Sequence, residues 1–178
     1  MSGATNATLT LVGVTTNDSA DYTVQLNGKD AASGVALIEV YDAAPTNPST
    51  LVNLAVRTYV GTGADTPNVG FVISGGEAKR VLIRAVGPTL GVFGVADALA
   101  DPQLELFRGA ERIDQNDDWG GTEALASAFA QVGAFSLNGP GSRDAALLVT
   151  LEPGIYTVIA SGAGGAAGVA LVEVYDVP

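Results

Sequence analysis

Residues 34–42 read GVALIEVYD, and residues 168–176 read GVALVEVYD. A nonapeptide recurs with one change, Ile38 to Val172, across 134 positions of a 178-residue chain. Within it Ala36, Ile38 and Val40 alternate with Val35, Leu37, Glu39 and Tyr41. Period-two alternation rich in β-branched and aromatic residues predicts a strand. The likeness extends backwards. DYTVQL (21–26) stands opposite IYTVIA (155–160), placing Tyr22 against Tyr156, and ATLTLVGV (7–14) resembles AALLVTL (145–151). Residues 6–43 and 144–177 therefore read as two versions of one three-strand unit. Three strands cannot cover both of their own faces. The chain then reads either as the tail of one module followed by a complete second or as one structure holding both triplets, and the first version is expected to pack on and extend the rest of the chain. The other arrangement is strand exchange with a neighbouring subunit, which builds head-to-tail fibres.

Between the copies, APTNPST (44–50) is a linker. LVNLAVRTYVG (51–61), VGFVISG (69–75) and KRVLIRAVG (79–87) read as strands, and PQLELFRGAERID (102–114) as a hairpin turning at Arg108-Gly109. The stretch 88–101 is loop-like with a helical turn. One helix is expected in 121–134, capped by Thr122, with Leu125, Phe129 and Val132 on one face. Pro153 to Val172 is twenty residues without a charge. It reads as two strands around a glycine loop, not as a membrane span, because it aligns with residues 19–38, which carry Asp21, Lys29 and Asp30. These elements predict an all-β sandwich, jelly-roll-like, of about ten strands and one short helix. The division is a three-strand fragment over 1–43 and a complete sandwich over 44–178.

Composition removes most chemistries. The chain has no Cys and no His, so disulfides, Ser-His-Asp triads, Cys-His pairs and His-bearing zinc sites are absent. Lys and Arg total 8 against 19 acids, for a net charge of −11. That balance argues against nucleic acid and anionic membranes as partners, and it suits metal cations. Hydrophobic residues make up 47 %, enough for a core. The leading SGATNAT lacks both the basic and the apolar region of a signal peptide.

The densest polar cluster is DQNDDWGG (114–121). Asp114, Asn116 and Asp118 match the first three ligand positions of a Ca²⁺ loop, where alternate oxygens converge on one cation. Trp119 and Leu125 replace the glycine and the bidentate glutamate of an EF-hand, so Asp101, Asp117 or Asp144 would have to complete the shell. The competing reading is a solvated acidic turn ahead of the helix. Trp119, the single tryptophan, is expected in the core under the loop rather than as a sugar platform. Carboxylate pairs such as Glu105 with Glu111, or Asp117 with Asp118, have nothing that places them in a cleft, and no catalysis is expected. Lys29 and Lys79 look exposed, which discounts an isopeptide bond. Arg80 and Arg84 share a strand face with Leu82, and are expected to be solvated or bridged to Glu39 or Glu173.

Two resemblances bear on setting. Leu9-x-Leu11-x-x-Val14 followed by Asp18-x-Ala20-x-Tyr22-x-Val24 resembles the E-strand, E–F corner and F-strand of immunoglobulin-like domains, with Val24 in the cysteine position. Residues 51–178, through LVNLAVRTYVGTG, KRVLIRAVGPTL, ALADPQLELF and NDDW, are similar to a module near the end of large secreted bacterial proteins. From LELF onward the chain also resembles the pre-peptidase C-terminal type of β-sandwich. The resemblance implies a secreted or cell-surface, modular and non-catalytic setting. The expected role is a structural module of a surface protein, adhesin or fibre, partnered by other modules or by copies of itself in an oligomer or filament. The alternative is a Ca²⁺-stabilised carbohydrate- or substrate-binding module of a secreted hydrolase.

Overall fold

The structure, a computed structural model, describes residues 22–27, 29–31, 34–40 and 51–178. The chain divides into two units, Met1–Leu51 and Val52–Pro178. The second holds eight strands: β1 (Asn53–Val60), β2 (Asn68–Ile73), β3 (Lys79–Val86), β4 (Pro102–Arg108), β5 (Glu111–Asn116), β6 (Ala145–Leu151), β7 (Gly154–Gly162) and β8 (Gly168–Val177). One helix, α1 (Glu123–Gln131), sits between β5 and β6. The strands form two antiparallel four-stranded sheets, ordered β1-β8-β3-β6 and β2-β7-β4-β5. Among the described residues no helix is long and apolar enough to cross a membrane.

The two sheets face each other across a core of alternate residues. Val81, Ile83 and Ala85 of β3 and Val172 and Val174 of β8 meet Leu104 and Leu106 of β4 and Tyr156, Val158 and Ala160 of β7. The first sheet is buried on its other face too. Leu82 and Val86 of β3 and Tyr175 and Val177 of β8 pack there against Leu90, Trp119, Leu125, Phe129 and Leu137. The central strands β3 and β8 are thus covered on both sides, which is why residues 81–86 (VLIRAV) are apolar on both faces apart from Arg84. Helix α1 and its flanking loops supply the covering layer. Its start follows the expected capping chemistry: the Thr122 hydroxyl accepts from the Leu125 amide at 3.4 Å.

Several expectations change. The β4–β5 turn lies at Gly109-Ala110, one residue beyond the expected site, because Arg108 still pairs with Glu111. Gly109 has φ 61, the left-handed conformation that a two-residue hairpin favours. A bulge between Leu106 and Phe107 then shifts the register. The described residues hold eight strands rather than about ten. Residues 22–27 and 34–40 carry no strand, and Val35, Leu37, Ile38 and Val40 are exposed. The strand expected over 7–14, the Asp18–Ala20 corner and the linker 44–50 lie outside the described residues.

The repeated tyrosine has a clear job in the second copy. Tyr156 is buried, stacks on Phe71 with ring centroids 5.5 Å apart, and donates its hydroxyl to the Glu152 carbonyl at 2.7 Å. A hydroxyl bonded to the backbone four residues upstream is the geometry of a tyrosine corner.

Candidate functional site

Three polar constellations stand out, two buried and one on the surface. The interior one begins with register: Arg84 of β3 lies directly opposite Glu173 of β8. Both side chains point to the face covered by α1, and both are buried. Arg84 Nε and Nη2 donate to one carboxylate oxygen of Glu173 at 2.9 and 2.5 Å, and Nη1 donates to the Phe135 carbonyl at 2.6 Å. The guanidinium lies 4.5 Å from the Phe135 ring centre and 4.9 Å from that of Phe129. The other Glu173 oxygen accepts the Tyr175 hydroxyl at 2.6 Å. Burial, and then that bond to Glu173, pushes the Tyr175 phenol up from 10.0 to about 12. Of the two expectations for the Arg80–Arg84 face, solvated or bridged, Arg84 takes the bridged one, to Glu173, and is buried because the helix layer covers that end of β3.

Asp144 forms a second buried knot just before β6. One carboxylate oxygen accepts the backbone amides of Gly87 and Thr89 at 2.8 and 3.2 Å. The other accepts the hydroxyls of Thr89, at 2.5 Å, and of Ser142. Trp119 is buried above it, donating its amide to the Asp144 carbonyl at 2.9 Å and its indole N–H to the Gly139 carbonyl at 3.1 Å. Asp144 therefore pins the 87–89 loop to the start of β6. Among the described residues every buried side-chain nitrogen and oxygen has a partner.

The surface constellation is a polar groove of ≈ 580 Å³ beside β4 and β5, lined by Glu105, Arg112, Gln115, Asn116, Asp117, Asp118 and neighbours. Of the five residues expected to hold Ca²⁺, Asn116, Asp117 and Asp118 line this groove. Asn116 is engaged within the fold: its Oδ1 accepts the Ala146 amide at 2.9 Å and its Nδ2 donates to the Asp118 carbonyl at 3.0 Å. Asp114 accepts the Gln115 amide at 2.8 Å. Asp101 is ion-paired with Arg143 at 3.0 Å. Among the described residues no three acidic side chains are grouped closely enough to hold a metal ion. Glu105 is ion-paired with Arg112 of the adjacent strand. On the other sheet Lys79 pairs with Asp176 at 2.8 Å, and the bond and charge of Asp176 raise its pKa.

Sequence reasoning named Glu173 as a partner for Arg84 but missed that the pair is buried. The available signal was the apolar face of α1, which has to land on some sheet surface. Asp144 was weighed only as a metal ligand.

No protein-family model matches the chain, and no curated protein matches it. Among solved structures it is similar to the pre-peptidase C-terminal domain of a collagenase from Bacillus anthracis. Identity is 13 %, over 69 % of this chain and 89 % of that one, with a TM-score of 0.42. A superposition that loose carries no argument about what this chain does.

Proposed function

We propose that the chain is a non-catalytic structural module of an extracellular or cell-surface bacterial protein, an adhesin or fibre, whose units join by strand complementation. The observation that supports this most is the commitment of the buried polar groups. Arg84, Glu173, Thr89 and Asp144 are satisfied by one another and by backbone. All four are buried and none lines the surface groove, so none is placed to touch a substrate there. The duplicated strand adds a means of joining units. The extracellular setting rests on the resemblance of residues 51–178 to modules of secreted proteins.

Light scattering tests the reading. The whole chain is expected to form species heavier than a monomer, and a version lacking residues 1–43 to remain monomeric. The same number of chains per particle for the two would overturn it.

The groove favours a second reading, a carbohydrate- or substrate-binding module, with Ca²⁺ as its proposed stabiliser, because Gln103, Gln115, Asn116 and Ser161 line it with hydrogen-bonding groups. A rise in Tm on adding Ca²⁺ or an oligosaccharide, removed by Asp118→Asn, is its signature.

A further inference from the structure

We infer that residues 34–40 are a donor strand whose acceptor is the slot between β1 and β3 in a sandwich of this same kind, recognised through the buried arginine at position 84. The inference deepens the structural reading above and rests on it.

In the structure that slot is filled by β8, which pairs with β1 along one edge and β3 along the other. Each feature of the slot makes a specific demand. At its mouth the backbone of 97–99 lies against β8: the Leu99 amide donates to the Val169 carbonyl, and the Val169 amide to the Asp97 carbonyl. A Cβ on Gly168 would come within 2.8 Å of the Leu99 Cα, so this position takes only glycine. Farther along, Ala170, Val172 and Val174 fill buried apolar sites. In the middle Arg84 requires a carboxylate opposite it, without which a buried charge stands unpaired.

The segment 34–40 meets these demands in the same order. Gly34 stands for Gly168, Ala36 for Ala170, Ile38 for Val172, Glu39 for Glu173 and Val40 for Val174. The sequence continues with Tyr41 and Asp42 where β8 has Tyr175 and Asp176. A surface strand that repeated only an apolar pattern would need neither the glycine nor the acid. Meanwhile Val35 and Leu37 are 85 % and 80 % exposed, so the donor's apolar sides are uncovered where they stand. The single difference, Ile38 for Val172, adds one methylene at a fully buried position.

The test uses the full chain with Val172→Pro and Ile38→Pro, which disable β8 and the chain's own copy, because proline removes ladder hydrogen bonds from a central strand. This acceptor is expected to lose its cooperative melting transition, followed by Trp119 emission. Adding a synthetic peptide of residues 34–42 is expected to restore the transition. Restoration by the 168–176 peptide is expected at roughly tenfold lower concentration, given the extra methylene. A 34–42 peptide carrying Glu39→Gln is expected to bind at least about thirtyfold more weakly, because it leaves Arg84 without its charge partner. Restoration by the 168–176 peptide alone, or by neither, overturns the inference, as does an unchanged affinity of the Gln peptide. Self-association of the unaltered chain, read by its mass, is a separate quantity, so the two proposals fail by different observations.

Discussion

The charges at the centre of the first sheet are held by pairing, and their removal should be correspondingly uneven. Arg84→Met leaves Glu173 buried without a counter-charge, and should destabilise the fold by about 3–5 kcal/mol. Replacing both, Arg84→Met with Glu173→Leu, should cost less than either single change, measured by urea unfolding followed through Trp119. A double substitution costing the sum of the two singles would contradict the paired description. Tyr175 carries a pH prediction. Its phenol ionises near 10.0 when unfolded and near about 12 when folded, so below 10 both states hold the proton and stability is unaffected. Between those values the unfolded chain holds fewer protons, and stability should fall as pH rises. Lys79, raised above 10.5 by Asp176, acts in the same direction at the same alkaline end. Tyr175→Phe should flatten the decline between 10 and about 12, at the cost of leaving one Glu173 oxygen unbonded. At this scale the sequence told part of the story. Thr122 as a cap and Trp119 as an interior residue were legible, since both follow from local chemistry. The burial of Arg84 was not, because alternation along one strand cannot reveal the layer that will cover it.

The strands of residues 51–178 were legible because apolar alternation and glycine turns mark them, and each observed strand falls within or beside its expected segment. The exceptions are instructive. The hairpin turn moved by one residue because pairing continued to Arg108–Glu111, and the bulge beyond it has no signature in ERIDQN. The 88–101 stretch is no exception: expected as loop with a helical turn, it holds a 3₁₀ turn over Pro88–Phe93. Its placement depends on close approach to Leu99. A Cβ on Gly87 would sit 2.1 Å from the Leu99 carbonyl oxygen. Gly87→Ala should therefore displace the 87–89 loop from Asp144 and lower stability by about 3 kcal/mol. A thermal melt unchanged by this substitution would show that the loop yields freely.

For the whole molecule, the repeat has unequal fates. The β8 copy is one of the two central strands of its sheet, zipped between two neighbours and two apolar layers, while the described residues 34–40 are exposed. The sequence disclosed the duplication but not the central place of β8, because side chains alone do not fix strand order. The acidic stretch 114–118 shows the same limit: its spacing does not reveal that Asn116 also accepts the Ala146 amide of β6, thirty residues on. On the proposal above, the 34–40 copy joins units by seating as β8 does. Sedimentation of the full chain over a range of concentrations, beside a Glu39→Lys variant, tests it most directly. The mass of the unaltered chain should rise with concentration while the variant, which brings a second cation against Arg84, stays monomeric. Identical behaviour of the two would contradict the claim.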